Sequence, residues 1–144
     1  EIAWGLVGSE MCIRDSKEGD HPDDYQFQHV FLLPDRGVVT DCMFALQPFF
    51  DRIPASEWIR VKANLRPKCH EMRVGGFHID YEDCITSIFY FNDNDGQTTF
   101  ESGGYVKSVA NRLITFPSNL RHSGSTCTDA KARFVLNLNY MPPT

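Results

Sequence analysis

From Gln26 to Tyr140, clusters of turn-forming residues cut the chain into short β-prone runs, and this division restricts it to a layered or closed β architecture. The runs are Gln26–Leu33 (QFQHVFLL), Trp58–Pro67 (WIRVKANLRP), Cys84–Asn92 (CITSIFYFN), Gln97–Glu101 (QTTFE), Tyr105–Ala110, Asn111–Phe116 (NRLITF), Leu120–Ser123 and Ala132–Tyr140 (ARFVLNLNY). They recur at roughly 8–14-residue intervals with turn chemistry between them, the pattern of an antiparallel sandwich or barrel. Pro34-Asp35-Arg36-Gly37 is a turn signal, and Gly75-Gly76 breaks the chain before His78. Asn92–Gly96 (NDNDG) predicts a tight turn that joins its flanking strands as a hairpin. One stretch departs from the pattern. Thr40–Ile53 has apolar residues at 43, 46, 49, 50 and 53, which is helical spacing, and Pro48 kinks or divides any helix there. Lys17–Tyr25 is polar and acidic and reads as loop.

A length of 144 residues allows one hydrophobic core. The net charge of −5 excludes a protein that coats nucleic acid through a basic face. No apolar run approaches the roughly 18–20 residues of a membrane helix. The five Cys form no C-x-x-C pair and no zinc spacing, so they read as reduced thiols in a cytoplasmic protein.

The first residues ask for separate treatment. Leu6–Glu10 is the translation of CTC GTG GGC TCG GAG, and Met11–Asp15 of ATG TGT ATA AGA GAC. Joined, these codons look like a transposase adapter used to build sequencing libraries, carried into an assembly of environmental DNA. Residues 1–16 are therefore read as an adapter artefact that packs against nothing and are set aside from the fold. Residues 17–144 form the domain, which on this reading lacks its natural N-terminus.

Three side chains stand out as chemistry. His78 and Asp80 form an H-x-D pair, and on extended backbone residues i and i+2 share a face. His122 follows 44 residues after His78, on a different strand. Two His and one carboxylate on one face make the facial triad of non-haem Fe(II) oxygenases, which leaves metal positions open. Arg133, at the start of the last strand, can bind a carboxylate bidentately. Other candidates fail. With Gly96 at position six of a calcium loop, position one is Phe91 and position twelve is Ser102, which do not ligate. His21, His29 and His70 lack partners at metal spacing and read as solvated. Cys69 and His70, adjacent on extended chain, point to opposite faces.

The motifs H-I-D (78–80), Y-F-N (90–92), D-G-Q-T (95–98), N-R-L-I-T-F-P (111–117), R-H-S-G (121–124) and R-F-V-L-N (133–137) together resemble the Fe(II)- and 2-oxoglutarate-dependent dioxygenases. Among these the chain is most similar to the prolyl-4-hydroxylase-like branch, in the short form carried by bacteria and their phages. The likeness runs from about Trp58 to Tyr140. It implies a mainly β, double-stranded β-helix (jelly roll) with one or two flanking helices. It also implies Fe(II) held by His78, Asp80 and His122, and the C5 carboxylate of 2-oxoglutarate held by Arg133. Tyr90 stands where this branch often has a hydroxyl on that carboxylate, with a core aromatic as the alternative. Asn64 would face cosubstrate or substrate. The implied reaction consumes O2 and 2-oxoglutarate, with ascorbate as an optional addition, and hydroxylates a C–H bond with release of succinate and CO2. Relatives that halogenate have a small residue at the Asp80 position, so a carboxylate there implies hydroxylation. The implied substrate is a prolyl or other amino-acid side chain, in a peptide or free, inside a pocket lined by apolar strand residues. The rival class is a non-catalytic cupin that holds a metal or a sugar. An inactive fragment is the other alternative.

Overall fold

The computed structural model describes residues 12–14, by backbone alone, and 25–144. The expected jelly roll is what forms: two antiparallel sheets and one short helix. The strands are β1 (Cys12–Arg14), β2 (Gln26–Leu33), β3 (Gly37–Val38), β4 (Glu57–Pro67), β5 (Ile85–Tyr90), β6 (Gln97–Phe100), β7 (Tyr105–Lys107), β8 (Leu113–Pro117), β9 (His122–Gly124) and β10 (Ala132–Met141). The large sheet runs β1-β2-β4-β10-β5-β8, with β3 on β2, and the small sheet runs β7-β6-β9. β4 and β10 are the longest strands and lie side by side at the centre of the large sheet.

The two faces of that central pair explain the architecture. Val61, Ala63, Leu136 and Leu138 point outward and pack with Phe31, Leu46 and Ile53, so the segment after β3 closes over the outer face. This segment is a 3-10 turn (Met43–Leu46) followed by α1 (Gln47–Phe50), with Pro48 in the first turn of α1. Proline fits there because the first helical N–H groups have no partner within the helix. The division expected at Pro48 is therefore present, as two short turns. The opposite face of β4 and β10 looks between the sheets. There Val135 joins Ile88, Tyr90 and Phe116 in a second, smaller core.

The hairpin expected across Asn92–Gly96 does not form. β5 pairs with β10 and β8, whereas β6 pairs with β7 and β9, so the loop crosses from one sheet to the other. Its polar side chains have long-range partners instead of closing a turn. Asn92 bonds the backbone of Ala132 and Phe134, Asp93 accepts from Ala110 N, and Asp95 accepts from Thr128 N. Only Asn94 acts locally, accepting from Gly96 N at 3.0 Å. Asx side chains serve either purpose, so their cluster marks a break in the strand without fixing the partner of the next one.

Cys12–Arg14 run antiparallel to β2, opposite Gln26–Gln28, where the adapter reading expects no packing. An unpaired strand edge accepts extended backbone of any sequence, because the ladder is made by N–H and C=O groups. Trp4, Leu6 and Val7 lie outside the described residues, as do His21 and the loop expected before Tyr25. Cys42, Cys69, Cys84 and Cys127 are free thiols. No helix among the described residues is long and apolar enough to cross a membrane.

Candidate metal centre and anion pocket

The register of three neighbouring strands builds a cradle for one carboxylate. Arg60 on β4, Asn139 on β10 and Thr86 on β5 stand in one row across the large sheet. All three reach Asp80, which lies in the segment before β5. Arg60 donates to Oδ1 at 2.7 Å; Thr86 Oγ1 and Asn139 Nδ2 donate to Oδ2 at 3.0 and 3.1 Å. Asn137, one row along, adds a bond of 3.3 Å to Oδ2. Burial works against ionising Asp80, but the Arg60 guanidinium, the Asn139 amide and His122 outweigh it and hold the carboxyl at about 2.

This shift is a statement about stability. A carboxyl whose folded value lies below its ordinary one stabilises the fold above about pH 4 and loses that contribution as pH falls through about 2. The full term is about 2 kcal/mol. In metal-free protein, the stability gap between wild type and Asp80→Asn should narrow by about 1 kcal/mol between pH 6 and pH 3. Urea unfolding at both values checks this, and an unchanged gap would contradict it.

The two imidazoles are brought together by backbone. The segment 68–80 runs beside β9, and His78 and His122 exchange N–H···O bonds of 3.0 Å in each direction as an isolated bridge. Their ring centroids are 4.7 Å apart. His122 is buried and packs edge-on against Phe116, whereas the His78 side chain is 46% exposed and forms the rim. Each ring turns Nδ1 to a carbonyl two residues before it: His78 to Gly76 O at 3.1 Å and His122 to Leu120 O at 2.9 Å. A carbonyl can only accept, so in the neutral form of each ring Nδ1 carries the proton and Nε2 keeps its lone pair. Burial, and then the nearby charges of His122 and Lys62, hold His78 below its ordinary value, which keeps it neutral at pH 7.

The three ligand atoms converge. His78 Nε2 lies 3.9 Å from Asp80 Oδ1, His122 Nε2 lies 3.9 Å from Asp80 Oδ2, and all three atoms fall within 4.8 Å of one another. Ligands at about 2.0–2.2 Å from one ion are at most about 4.4 Å apart. A small inward turn of the exposed His78 ring therefore suits a metal.

Arg133 faces the same pocket as His78 and His122 and is 4% exposed. Its Nε donates to Ser108 Oγ at 2.9 Å and its NH2 to Thr98 Oγ1 at 3.0 Å. Among the described residues no carboxylate pairs with it. Burial lowers it to about 10, so it remains a cation at neutral pH. Tyr90 is fully buried beneath it, with the guanidinium carbon 5.5 Å from the ring centroid, and donates its hydroxyl to Thr98 at 2.7 Å. Tyr90 thus orients the residue that steadies Arg133. Asn64 lines the pocket and accepts from Gln26 Nε2 at 3.1 Å.

Glycine makes room for Arg133. A Cβ on Gly96 would meet Arg133 Cδ at 2.7 Å, Asn94 Oδ1 at 2.7 Å and the Thr126 carbonyl at 2.8 Å. Gly96→Ala should cost about 1–3 kcal/mol, as overpacking does. It should weaken anion binding in the pocket while sparing the metal ligands, which chemical denaturation and ligand titration would show.

Two sequence readings need correction. The pocket is mainly polar, lined by Lys62, Asn64, Arg66, Thr98 and Asn137, with Ile88 and Val135 as its apolar wall. Val61 and Ala63 of β4 and Leu136 and Leu138 of β10 face outward to the first core. His29 is half-buried and bonds Thr40 Oγ1 at 3.2 Å, so it is not simply solvated; His70 is exposed as expected. Sequence reasoning missed Arg60, Thr86, Asn137, Asn139, Thr98 and Ser108. Polar residues at every second position of β4 (60, 62, 64, 66), and at 133, 137 and 139 of β10 with Val135 between them, were the available sign of a polar inner face.

No family model matches this chain, and no curated protein matches it. Solved structures do. A 2OG-Fe(II) oxygenase family oxidoreductase of Burkholderia pseudomallei matches over 94% of this chain and 73% of its own, with TM-score 0.59 and 13% identity. A cupin 2 conserved barrel domain protein of Rhodopseudomonas palustris matches over 95% and 74%, with TM-score 0.53 and 7% identity. A prolyl hydroxylase of Trichoplax adhaerens, solved with a hypoxia inducible factor oxygen degradation domain peptide, matches over 81% of this chain and 62% of its own, with TM-score 0.51 and 16% identity. At these identities the likeness shows the fold, the jelly roll common to oxygenases and cupins.

Proposed function

We propose that this chain is an Fe(II)- and 2-oxoglutarate-dependent dioxygenase of the prolyl-4-hydroxylase-like branch that hydroxylates a C–H bond. The observation that carries the reading is Arg133: a buried cation, bonded to neutral hydroxyls and without a carboxylate partner among the described residues, in the pocket that His78 and His122 line beside Asp80. A buried unpaired charge is costly, so a pocket built around one is built for an anion. A diacid chelating at one end and reaching Arg133 with the other satisfies both halves of the pocket.

The donor set fits Fe(II). Two neutral imidazoles and one ionised carboxylate are the ligands of the facial triad. Asn137 gives a further sign. Its amide must turn Nδ2 to the Asp80 carboxylate, and this leaves Oδ1 buried without a donor beside the site. That oxygen suits an O–H from water on a metal. His78, Asp80 and His122 would hold the ion, and the bound iron with its cosubstrate would supply the oxidising power. The chain's own residues do the rest. Asn139, Thr86 and Arg60 fix Asp80; Gly76 and Leu120 fix the imidazole tautomers; Ser108, Thr98 and Tyr90 aim Arg133. The large sheet shields the pocket from water on one side.

The substrate is a prolyl or other amino-acid side chain, in a peptide or free, with no nucleic acid or membrane as partner and a cytoplasmic setting. A cupin that holds a metal without oxidising anything would share the fold but has no use for Arg133. Consumption of 2-oxoglutarate with Fe(II), O2 and ascorbate, measured as succinate formed, tests the reading. Metal binding without any succinate would favour the cupin. A mass-spectrometric search for +16 Da products on peptides and cell extract would then name the substrate.

A further inference from the structure

A second arginine shares the end of the pocket that Arg133 occupies. In the β4–β10 ladder Arg66 stands directly opposite Arg133, and both line the pocket. Each also meets Gly124. Arg66 NH1 donates to the Gly124 carbonyl at 2.6 Å, and a Cβ on Gly124 would lie 3.0 Å from Arg133 NH1. Gly75 is the neighbour of Arg66 on the other side, where a Cβ would stand 3.4 Å from Arg66 NH1. The metal ligands belong to the far end of the ladder, with the row of Arg60, Asn139 and Thr86. The two arginines thus start from one row of the ladder, away from the row that holds Asp80.

Like charges directly opposite each other on a sheet repel, and burial strengthens the repulsion. An anion placed between the two relieves that repulsion. Ser108 and Thr98 take the Nε–NH2 edge of Arg133, and its NH1 lies beside Gly124, which lines the pocket. A carboxylate offers about four lone-pair sites, more than that one side fills.

Resting on the reading above, we propose that Arg66 is the second cation of the cosubstrate's distal-carboxylate site, so that Arg133 from β10 and Arg66 from β4 grip that carboxylate from two sides. Selection for a diacid over a monoacid is then shared between two strands.

The test compares two ligands on the Fe(II)-loaded full chain under anaerobic conditions: 2-oxoglutarate and 2-oxopentanoate, which has the same carbon chain without the distal carboxylate. Arg66→Met should weaken 2-oxoglutarate by about 10- to 100-fold, as loss of a charge-assisted partner does, and leave 2-oxopentanoate within about twofold. Arg66→Lys should restore part of the loss, since it keeps the charge but not the fork. If Arg66 only supports the Gly124 carbonyl, both ligands weaken together or neither does, and either result overturns the proposal. Should Arg66→Met fail to fold, Arg66→Lys decides alone by the same comparison. A wild type that binds both acids equally would overturn the Arg133 assignment itself, a failure distinct from that of Arg66.

Discussion

Arg133→Ala is expected to weaken 2-oxoglutarate binding by about 2–5 kcal/mol, or roughly 30- to several-thousand-fold, with Fe(II) affinity nearly unchanged. The size follows from burial. Arg133 is 4% exposed, so its pairing with a carboxylate is little weakened by water or salt. The separation from the metal follows from topology, because Arg133 begins β10 while Asp80 is held near its other end, at Asn137 and Asn139. Alanine also opens a cavity and removes the donor to Ser108 and one of two donors to Thr98. Arg133→Met is the better control, since it keeps most of the volume and removes a desolvated charge. Such replacements are often neutral or stabilising. Methionine should therefore lose 2-oxoglutarate binding while denaturation shows stability equal to or above that of wild type. Wild-type affinity for 2-oxoglutarate in either variant would mean that the anchor lies elsewhere.

His78→Ala is expected to abolish turnover and leave the fold intact. The His78 ring is 46% exposed, and its link to His122 is made by backbone atoms that alanine retains. Stability of the metal-free protein should stay within about 0.5 kcal/mol of wild type, as for surface changes. Fe(II) affinity should fall by more than the roughly 10–100-fold that loss of an outer partner costs, because a ligand itself is gone. The same change at His122 would confuse the two effects, since that ring is buried against Phe116. Metal titration and thermal unfolding of His78→Ala, run side by side, separate them. Unchanged metal affinity would remove His78 from the site.

The sequence made the strands and the triad readable for different reasons. The bounds of Gln26–Leu33 are legible because Tyr25 and Pro34 frame a β-prone run, and the helical stretch divides between Leu46 and Gln47, with Pro48 in the first turn of α1, because a missing N–H acts locally. The H-x-D spacing was readable because two residues on extended chain share a face. The long-range features stayed hidden. Asn92–Gly96 carries every local mark of a hairpin turn, yet the choice between turning back and crossing to the other sheet is made by partners such as Ala132 and Thr128. The cradle of Asp80 was hidden likewise: Arg60 lies 20 residues before it and Asn139 lies 59 after it, and only strand register unites them. The polar lining was missed because hydrophobic alternation was assigned to the wrong side. β4 and β10 bury Val61, Ala63, Leu136 and Leu138 in the outer core and, Val135 apart, give polar residues to the pocket.

In the proposed enzyme one pocket joins a metal held by His78, Asp80 and His122 to a 2-oxo diacid anchored by Arg133. Anaerobic titration of the Fe(II)-loaded wild type with 2-oxoglutarate tests it most directly, followed by the visible charge-transfer absorption that Fe(II) gains when a 2-oxo acid chelates it. The expected result is a saturable band that is absent in His78→Ala and shifted to far higher ligand concentration in Arg133→Met. A wild type that binds Fe(II) tightly and gains no such band at any 2-oxoglutarate concentration would contradict the account.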